Sequence, residues 1–308
     1  MNIKVSNLVK KYDTQRAVDG ISFEVKSGEI VGFLGPNGAG KTTTMKILTC
    51  YMAPTEGEVT IGDYTINKDA DLIKRQVGYL PENNPLYLDM PVMEYLHFSA
   101  AIQGVAQQNI PARIKEMVRL CGLDREKHKK IGELSKGYRQ RVGLAQAMIH
   151  DPAVLILDEP TTGLDPNQIV EIRELIRELG REKTLIFSTH ILPEVEATCN
   201  RILIINDGKI VADGNPTELR RQASGREITK VRIEDAQPNE VFNTLRNLET
   251  VSLVDWDGKS NFFQVESKPE LSSRRNIFSL AVANNWVITE LTPVERDLEE
   301  IFRNLTLK

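Results

Sequence analysis

The segment Gly35-Pro36-Asn37-Gly38-Ala39-Gly40-Lys41-Thr42 constrains this chain more than any other stretch. It follows the apolar run Ile30-Val31-Gly32-Phe33-Leu34 and precedes a helical pattern from Thr43 to Leu48, which predicts a strand, a glycine-rich turn and a helix in succession. The spacing is that of a phosphate-binding loop. Glycines let the backbone wrap closely around a polyphosphate, and the amide N–H groups and helix N-terminus then face the anion. On that chemistry Gly35, Pro36, Asn37, Gly38, Ala39 and Gly40 wall a phosphate cradle, Lys41 reaches the β and γ phosphates, and Thr42 is a ligand for Mg²⁺.

A second apolar run, Val154-Leu155-Ile156-Leu157, ends in Asp158-Glu159-Pro160. Nucleotides bind at the C-terminal ends of parallel strands, so Asp158 is expected to orient the Mg²⁺ shell and Glu159 to polarise an attacking water. Leu185-Ile186-Phe187-Ser188 and Ile202-Leu203-Ile204-Ile205 are also unbroken apolar runs, the pattern of strands buried on both faces of a largely parallel sheet. Such runs alternate with helical patterns from Ile3 to about Leu219, which predicts an α/β domain. Far more chain separates Lys41 from Asp158 than the roughly 30 residues of a minimal βαβ step, so a further subdomain, about residues 85–150, is inserted between them. Asp165, Pro166 and Gln168 form an N-cap, first-turn proline and capping-box partner for a helix ending before Gly180, and Asn206-Asp207-Gly208-Lys209 reads as a tight hairpin turn.

The 308 residues allow two domains, and 41% hydrophobic with 27% charged content is that of an ordinary globular protein. Net charge is −4, without the basic excess of a phosphate-backbone binder, so nucleic acid is not the expected partner. No apolar run approaches the roughly 18 residues of a membrane-spanning helix, and Met1 to Val5 leads into an alternating strand pattern rather than a leader's apolar core. Cys50, Cys121 and Cys199 form no CxxC pair, which points away from a disulfide framework or zinc site and toward a reduced, cytoplasmic protein.

After Leu219 the polar stretch Arg220 to Glu227 has no periodicity, so the domains are read as 1–221 and 229–308 with a linker at 222–228. Beyond it the pattern predicts a strand from Thr229 to Glu234, a helix opened by Pro238, two strands joined at Asp257-Gly258, a helix from Pro269 to about Ala283, and a strand from Trp286 to Leu291. That is the βαββαβ order of an α+β ferredoxin-like fold. A last helix is expected after a capping box of Thr292 and Glu295 with Pro293 at its first position, carrying Leu298, Ile301, Phe302 and Leu305 as its apolar stripe.

Leu134-Ser135-Lys136-Gly137-Tyr138-Arg139-Gln140-Arg141, just before the Asp158 strand, resembles the LSGGQ signature of ATP-binding-cassette proteins. Ser135 as N-cap with Gly137 beside it would expose a helix N-terminus to a phosphate arriving from outside. Other segments fit the same family in order. Lys11-Tyr12-Asp13 resembles its aromatic loop, making Tyr12 the candidate for stacking on adenine; Gly163-Leu164-Asp165 resembles its D-loop; Ser188-Thr189-His190 resembles its switch-histidine loop. With Tyr79-Leu80-Pro81-Glu82-Asn83-Asn84-Pro85-Leu86-Tyr87, the set is similar to multidrug-export-type transporter subunits, those associated with gliding motility in particular.

The resemblance implies a P-loop NTPase cassette with a RecA-like core and helical subdomain, and ATP and Mg²⁺ as cofactors. It implies an ATP-sandwich dimer in which Lys41, Thr42 and Thr43 of one copy and Ser135, Lys136 and Gly137 of the other enclose each nucleotide, with Glu159 as general base and His190 on the γ-phosphate. A polytopic permease is implied as a separate chain docked near residues 83–93, placing this subunit on the inner face of the cell membrane. Three positions in two segments depart from the family. Glu82 stands where a glutamine is usual, an anion that either strengthens Mg²⁺ coordination or repels phosphate. Lys136 and Tyr138 replace glycine and glutamine, and Lys136 either adds charge toward a γ-phosphate or faces solvent. The competing reading is a soluble cassette ATPase acting on ribosomes or nucleic-acid repair complexes.

Overall fold

The computed structural model describes residues 1–224, 227–269, 271–294 and 298–306. They fall into two compact units, one of residues 1–216 with the last turn of the chain, the other of residues 217–304.

In the first unit, β1 (Ile3–Tyr12) and β2 (Gln15–Val25) pair antiparallel and lead into β3 (Ile30–Leu34), every residue of which is buried. The glycine-rich turn follows, then α1 (Lys41–Leu48), β4 (Glu56–Ile61), β5 (Tyr64–Thr65), α2 (Ala70–Gln76) and β6 (Val77–Leu80). Three helices come next, α3 (Val92–Ile102), α4 (Ile110–Leu120) and α5 (Lys136–Met148), forming the insert expected between the phosphate loop and the Asp158 strand. The chain returns through β7 (Val154–Asp158), α6 (Pro166–Leu179), β8 (Thr184–Thr189), α7 (Leu192–Thr198), β9 (Arg201–Asn206) and β10 (Lys209–Gly214).

Six of these strands form one sheet in the order β10-β9-β3-β8-β7-β6, parallel except for the β10 edge. The unbroken apolar runs occupy its centre, where both faces are covered; Phe33, Ile156, Ile186 and Leu203 are at most 1% exposed. Burying each such side chain contributes roughly 1.5–3 kcal/mol, and a sheet with two packed faces collects that along every residue. A second, antiparallel sheet, β2-β1-β4-β5, shares its core through Ile3, Val5, Phe23 and Val59. The sequence pattern shows only the alternation of its first strand. The β9–β10 connection is the expected hairpin, with Asp207 and Gly208 at φ 47° and 76°.

The second unit begins in α8 (Pro216–Ser224). Residues 222–224, expected in a linker, are helical instead, because Gln222 and Ala223 are good helix formers even where no apolar periodicity marks them. There follow β11 (Ile228–Glu234), α9 (Pro238–Arg246), β12 (Val251–Asp255), β13 (Phe262–Ser267), α10 (Arg274–Ala283), β14 (Val287–Val294) and α11 (Leu298–Thr306). The sheet order β12-β13-β11-β14, all antiparallel, is the ferredoxin-like arrangement, with Val231, Phe263, Val265 and Ile277 in its core. Two boundaries differ from the sequence reading. The α10 helix starts at Arg274 rather than Pro269, and Thr292 and Pro293 lie in β14 instead of opening the last helix; β14 is an edge strand paired only with β11, a position that tolerates proline. Glu295, the other half of that capping box, lies outside the described residues.

Candidate active site

The phosphate loop is held between its flanking elements by close backbone approaches. Gly35 N–H donates to the Thr189 carbonyl at 3.3 Å, and a Cβ on Gly35 would come 2.4 Å from the Ile205 carbonyl oxygen. Gly40, at φ 106°, would put a Cβ 2.3 Å from the Ala17 carbonyl oxygen, so both its conformation and its surroundings require glycine. Gly40 is also the N-cap of α1 and supplies no side-chain acceptor, and no acidic residue occupies the first helical turn. The first amides of α1 therefore keep their polarity for an anion. Lys41 is 5% exposed, its Nζ donating to the carbonyls of Gly35 at 2.8 Å and Pro36 at 3.2 Å. That folded-back lysine holds positive charge over the cradle.

Asp158, fully buried at the end of β7, faces the loop from the next-but-one strand. Its Oδ1 accepts from Ser188 Oγ at 2.5 Å and Thr42 Oγ1 at 3.2 Å, whereas Oδ2 is buried without a partner. Burial raises its proton affinity above the ordinary carboxylate value; the donors oppose that rise, and the nearby Glu82 and Glu159 charges add to it. Glu159 adopts φ 50°, a left-handed conformation unusual for glutamate, and its N–H donates to both Oγ (3.1 Å) and the carbonyl (3.2 Å) of Ser188. The Ser188 hydroxyl thus orients two consecutive acidic residues. Glu159 Oε1 lies 3.4 Å from Lys41 Nζ, while Oε2 accepts from Thr162 Oγ1 at 3.2 Å and lies 2.9 Å from His190 Nδ1.

Gly40, Lys41, Thr42, Glu159, Thr162 and His190 line a cleft of about 370 Å³ that also takes in Ala17, Asn37, Thr43 and Glu82. A neighbouring cleft of about 380 Å³ shares Thr42 and Glu82 and adds Tyr79 and Asp158. The donor set fits Mg²⁺ as held in phosphate sites. Thr42 offers a hydroxyl and Asp158 an unpartnered buried oxygen, and Glu82 lines both clefts; among the described residues no three His, Cys, Asp or Glu side chains gather into a self-sufficient metal site, so a cation held here would share its shell with phosphate and water.

Comparison with known proteins agrees with this geometry. A family model for ABC transporters matches residues 18–162. An ABC transporter ATP-binding protein of Bacillus subtilis, YxlF, is 32% identical over 97% of this chain and 98% of its own length, and the linearmycin resistance ATP-binding protein LnrL of the same species is 31% identical over 99% and 98%. The chain belongs to the ABC transporter ATP-binding proteins. The bacitracin transport ATP-binding protein BcrA of Bacillus licheniformis is 40% identical across 68% of this chain and 69% of its own. Among solved structures, a dimeric ATP-binding cassette in a post-hydrolysis state bound to ADP and phosphate superposes with a TM-score of 0.64 at 27% identity, covering 69% of this chain and 98% of that one.

Within the cassette the expected site residues divide into two groups. Asn37, Gly38, Gly40, Lys41, Thr42, Thr43, Glu82, Glu159 and His190 line one cleft, with Asp158 bonded to Thr42 behind it. Tyr12 stands outside that cleft at the end of β1, 44% exposed, its hydroxyl 3.0 Å from Met52 Sδ. Ser135 caps α5, accepting from Tyr138 N–H at 3.4 Å, and neither it, Lys136 nor Gly137 lines the cleft. Asp165 caps α6, its Oδ1 accepting from Gln168 N–H at 3.0 Å. Three contributions escaped sequence reading: the bridging hydroxyl of Ser188, the Thr162 hydroxyl on Glu159, and Ala17 in the cleft wall. Ser188 carries a signal in hindsight, being a polar residue at the end of an otherwise apolar buried run.

Proposed function

We propose that this cassette binds and hydrolyses ATP and powers export through a separate permease. The observation that carries the reading is the Glu159 carboxylate, buried between Lys41, Thr162 and His190 at the lip of the phosphate cleft. As a general base it takes a proton from water directed at the γ-phosphate. With Glu159 as a carboxylate, the hydrogen it shares with His190 is on Nδ1, which fixes the imidazole and turns Nε2 away from the base. Lys41 and the amides of Gly38 to Thr42 would stabilise charge on the transferring phosphoryl oxygens. Thr42, Asp158 and Glu82 would hold Mg²⁺, which when bound neutralises phosphate charge.

Each copy presents Ser135, Lys136 and Gly137 away from its own cleft, which supports a second copy as the source of the missing half-site, with Asp165 beside the seam. Tyr12 is proposed to stack on adenine. The folded unit from residue 229 onward is proposed as an accessory domain following a cassette that ends in α8. Among the described residues no helix is long and apolar enough to cross a membrane, so the transmembrane path is assigned to another, polytopic chain and this one to the inner membrane face. Exposed Tyr87, Leu88, Phe98 and Ile102, with Tyr87 stacked edgewise on Phe98 at 5.7 Å, support the segment after Glu82 as the dock. Export is favoured over action on ribosomes or nucleic acid by the net charge of −4 and by relatives named for resistance and antibiotic transport; none of the relatives cited above is named for motility.

Glu159→Gln tests the assignment. ATP binding, read by equilibrium dialysis, is expected to persist and a dimer to accumulate with ATP, while turnover falls by about 10²–10⁴-fold, the usual contribution of a positioned base. Full turnover would overturn Glu159 as the base.

A further inference from the structure

Glu194 lies in the first turn of α7, 2% exposed, and lines neither cleft. Its Oε1 is buried without a hydrogen-bond partner, a cost that calls for some return from the other oxygen. That oxygen, Oε2, accepts from Thr189 Oγ1 at 2.7 Å. Thr189 is itself fully buried at the end of β8, and the same hydroxyl oxygen accepts from Ile191 N–H at 3.1 Å. The residues on either side of His190 are thus tied to one carboxyl through one hydroxyl. Ile191 is the N-cap of α7 and Glu194 its third residue, positions that in a capping box bond directly, side chain to N-cap amide. Here the Thr189 hydroxyl is interposed between them.

The anchor for this arrangement is a packed helix. A Cβ on Gly32, in the middle of β3, would come 2.5 Å from Val195 Cγ1 and 2.8 Å from Cys199 Sγ, so α7 rests directly on the strand that feeds the phosphate loop. Asn200 N–H, just past the helix, donates to the Ile30 carbonyl at 3.0 Å. Alternation along β8 sends consecutive hydroxyls to different partners, Ser188 to Asp158 and the Glu159 amide, Thr189 to α7. His190 comes next, its side chain 44% exposed and its Nδ1 2.9 Å from Glu159 Oε2. An imidazole that open to solvent has little packing of its own to hold it, so its aim depends on the backbone beneath it.

We propose that Glu194 is a positioning residue for His190: by holding the Thr189 hydroxyl, and through it the Ile191 amide, it clamps the backbone on both sides of the histidine and keeps the ring on Glu159. Its consequence for hydrolysis rests on the reading of Glu159 as the base. The clamp needs an acceptor on α7 and a hydroxyl at the end of β8, and Thr189 and Glu194 touch the cleft only through His190.

Four substitutions in the full chain test the two ends of this bond. Glu194→Ala and Thr189→Val delete the acceptor and the hydroxyl, whereas Glu194→Gln and Thr189→Ser retain them. The first readout is the ring nitrogen signals of His190 in ¹⁵N-histidine-labelled protein without nucleotide, assigned by their loss in His190→Gln. In the parent chain the hydrogen is expected on Nδ1; in the two deleting variants the signals should move toward the tautomer average of a free imidazole, and in the two retaining variants they should stay at the parent positions. The second is turnover. Glu194→Ala and Thr189→Val are each expected to lower kcat about tenfold with KM for ATP nearly unchanged, and Glu194→Gln and Thr189→Ser to keep most of the parent kcat. A role confined to stability would lower melting temperatures and leave the His190 signals in place, which would overturn the clamp, as would retaining variants no better than the deleting ones. Valine is close to threonine in shape, so Thr189→Val decides the matter if the Glu194→Ala chain does not fold. The ring signals need neither nucleotide nor turnover, so a chain that never hydrolyses ATP would sink the proposed function while His190 still decides the clamp.

Discussion

The six-stranded sheet of the cassette and the four-stranded sheet of the C-terminal unit place their polar groups by different rules. In the parallel sheet, β3, β7 and β8 are buried along their whole length, and charge enters the interior only at their C-terminal rim and in the elements that follow it: Lys41, Asp158, Glu159 and Glu194 are all at most 5% exposed. In the antiparallel sheet, burial alternates along β11 and β13, and the buried polar residues described in that unit are Thr229, Ser267 and Ser273, all uncharged. Burying a charge is costly unless it is paired, and a cluster of such costs at one rim marks where the fold accepts instability in exchange for chemistry. Among its described residues the C-terminal unit carries no such cluster, and their interior reads as packing alone.

The comparison is most exposed at Asp158. Asparagine there keeps an oxygen to accept from Thr42 and Ser188 and removes the buried charge. Asp158→Asn is expected to abolish most Mg²⁺-dependent hydrolysis, a loss of about 10²-fold or more, and to raise the melting temperature at neutral pH. Because burial holds this carboxyl above its ordinary value of 3.8, the folded chain binds the proton more tightly than the unfolded one. Stability from this group therefore falls as pH rises from 3.8 through the folded value, and the cost persists above it. Melting curves of parent and variant should accordingly diverge at neutral pH and converge on acidification; a variant that melts lower at pH 7 would break the reading of this rim as strained.

A smaller effect is expected at Ser188, which touches both acidic residues and does not line the cleft. Ser188→Ala removes a hydroxyl bonded to a carboxylate, worth about 1.5–3 kcal/mol, so kcat should drop roughly tenfold with ATP affinity retained. The smallest belongs to the other sheet. Ser267 Oγ donates to Ser273 Oγ at 2.8 Å and accepts from Ser273 N–H at 3.1 Å; Ser267→Ala should cost about 1 kcal/mol of stability in a denaturant titration and leave hydrolysis untouched. Impaired hydrolysis in that variant would end the division between a chemical rim and a purely packed core.

What the sequence made legible follows from range. The phosphate loop and the Asp158-Glu159 pair are contiguous strings attached to unbroken apolar runs, so strand, turn and chemistry are read together. Ser188 acquires its role only because β7 and β8 pair Asp158 with Ser188, a register that no local window contains. The left-handed φ of Glu159, a residue with no intrinsic preference for that region, is likewise imposed by the backbone bonds around it. Thr292 and Pro293 were misplaced for the opposite reason. Their local chemistry is that of a helix start, and pairing of Thr229 with Pro293 on the sheet edge overrides it. The ferredoxin-like order nonetheless emerged, because alternation in β11 and β13 and the first-turn proline of α9 are strong local signals.

The three cysteines bear on how such a molecule can be watched at work. Cys121 is buried and Cys50 and Cys199 are half-buried, and burial pushes all three thiols up, Cys121 to about 12, so each carries less thiolate at neutral pH than an exposed cysteine would. A single cysteine introduced on the surface would therefore take a maleimide dye or nitroxide faster than the native three, so brief labelling favours the new site when the chain's motions are recorded by fluorescence or electron resonance.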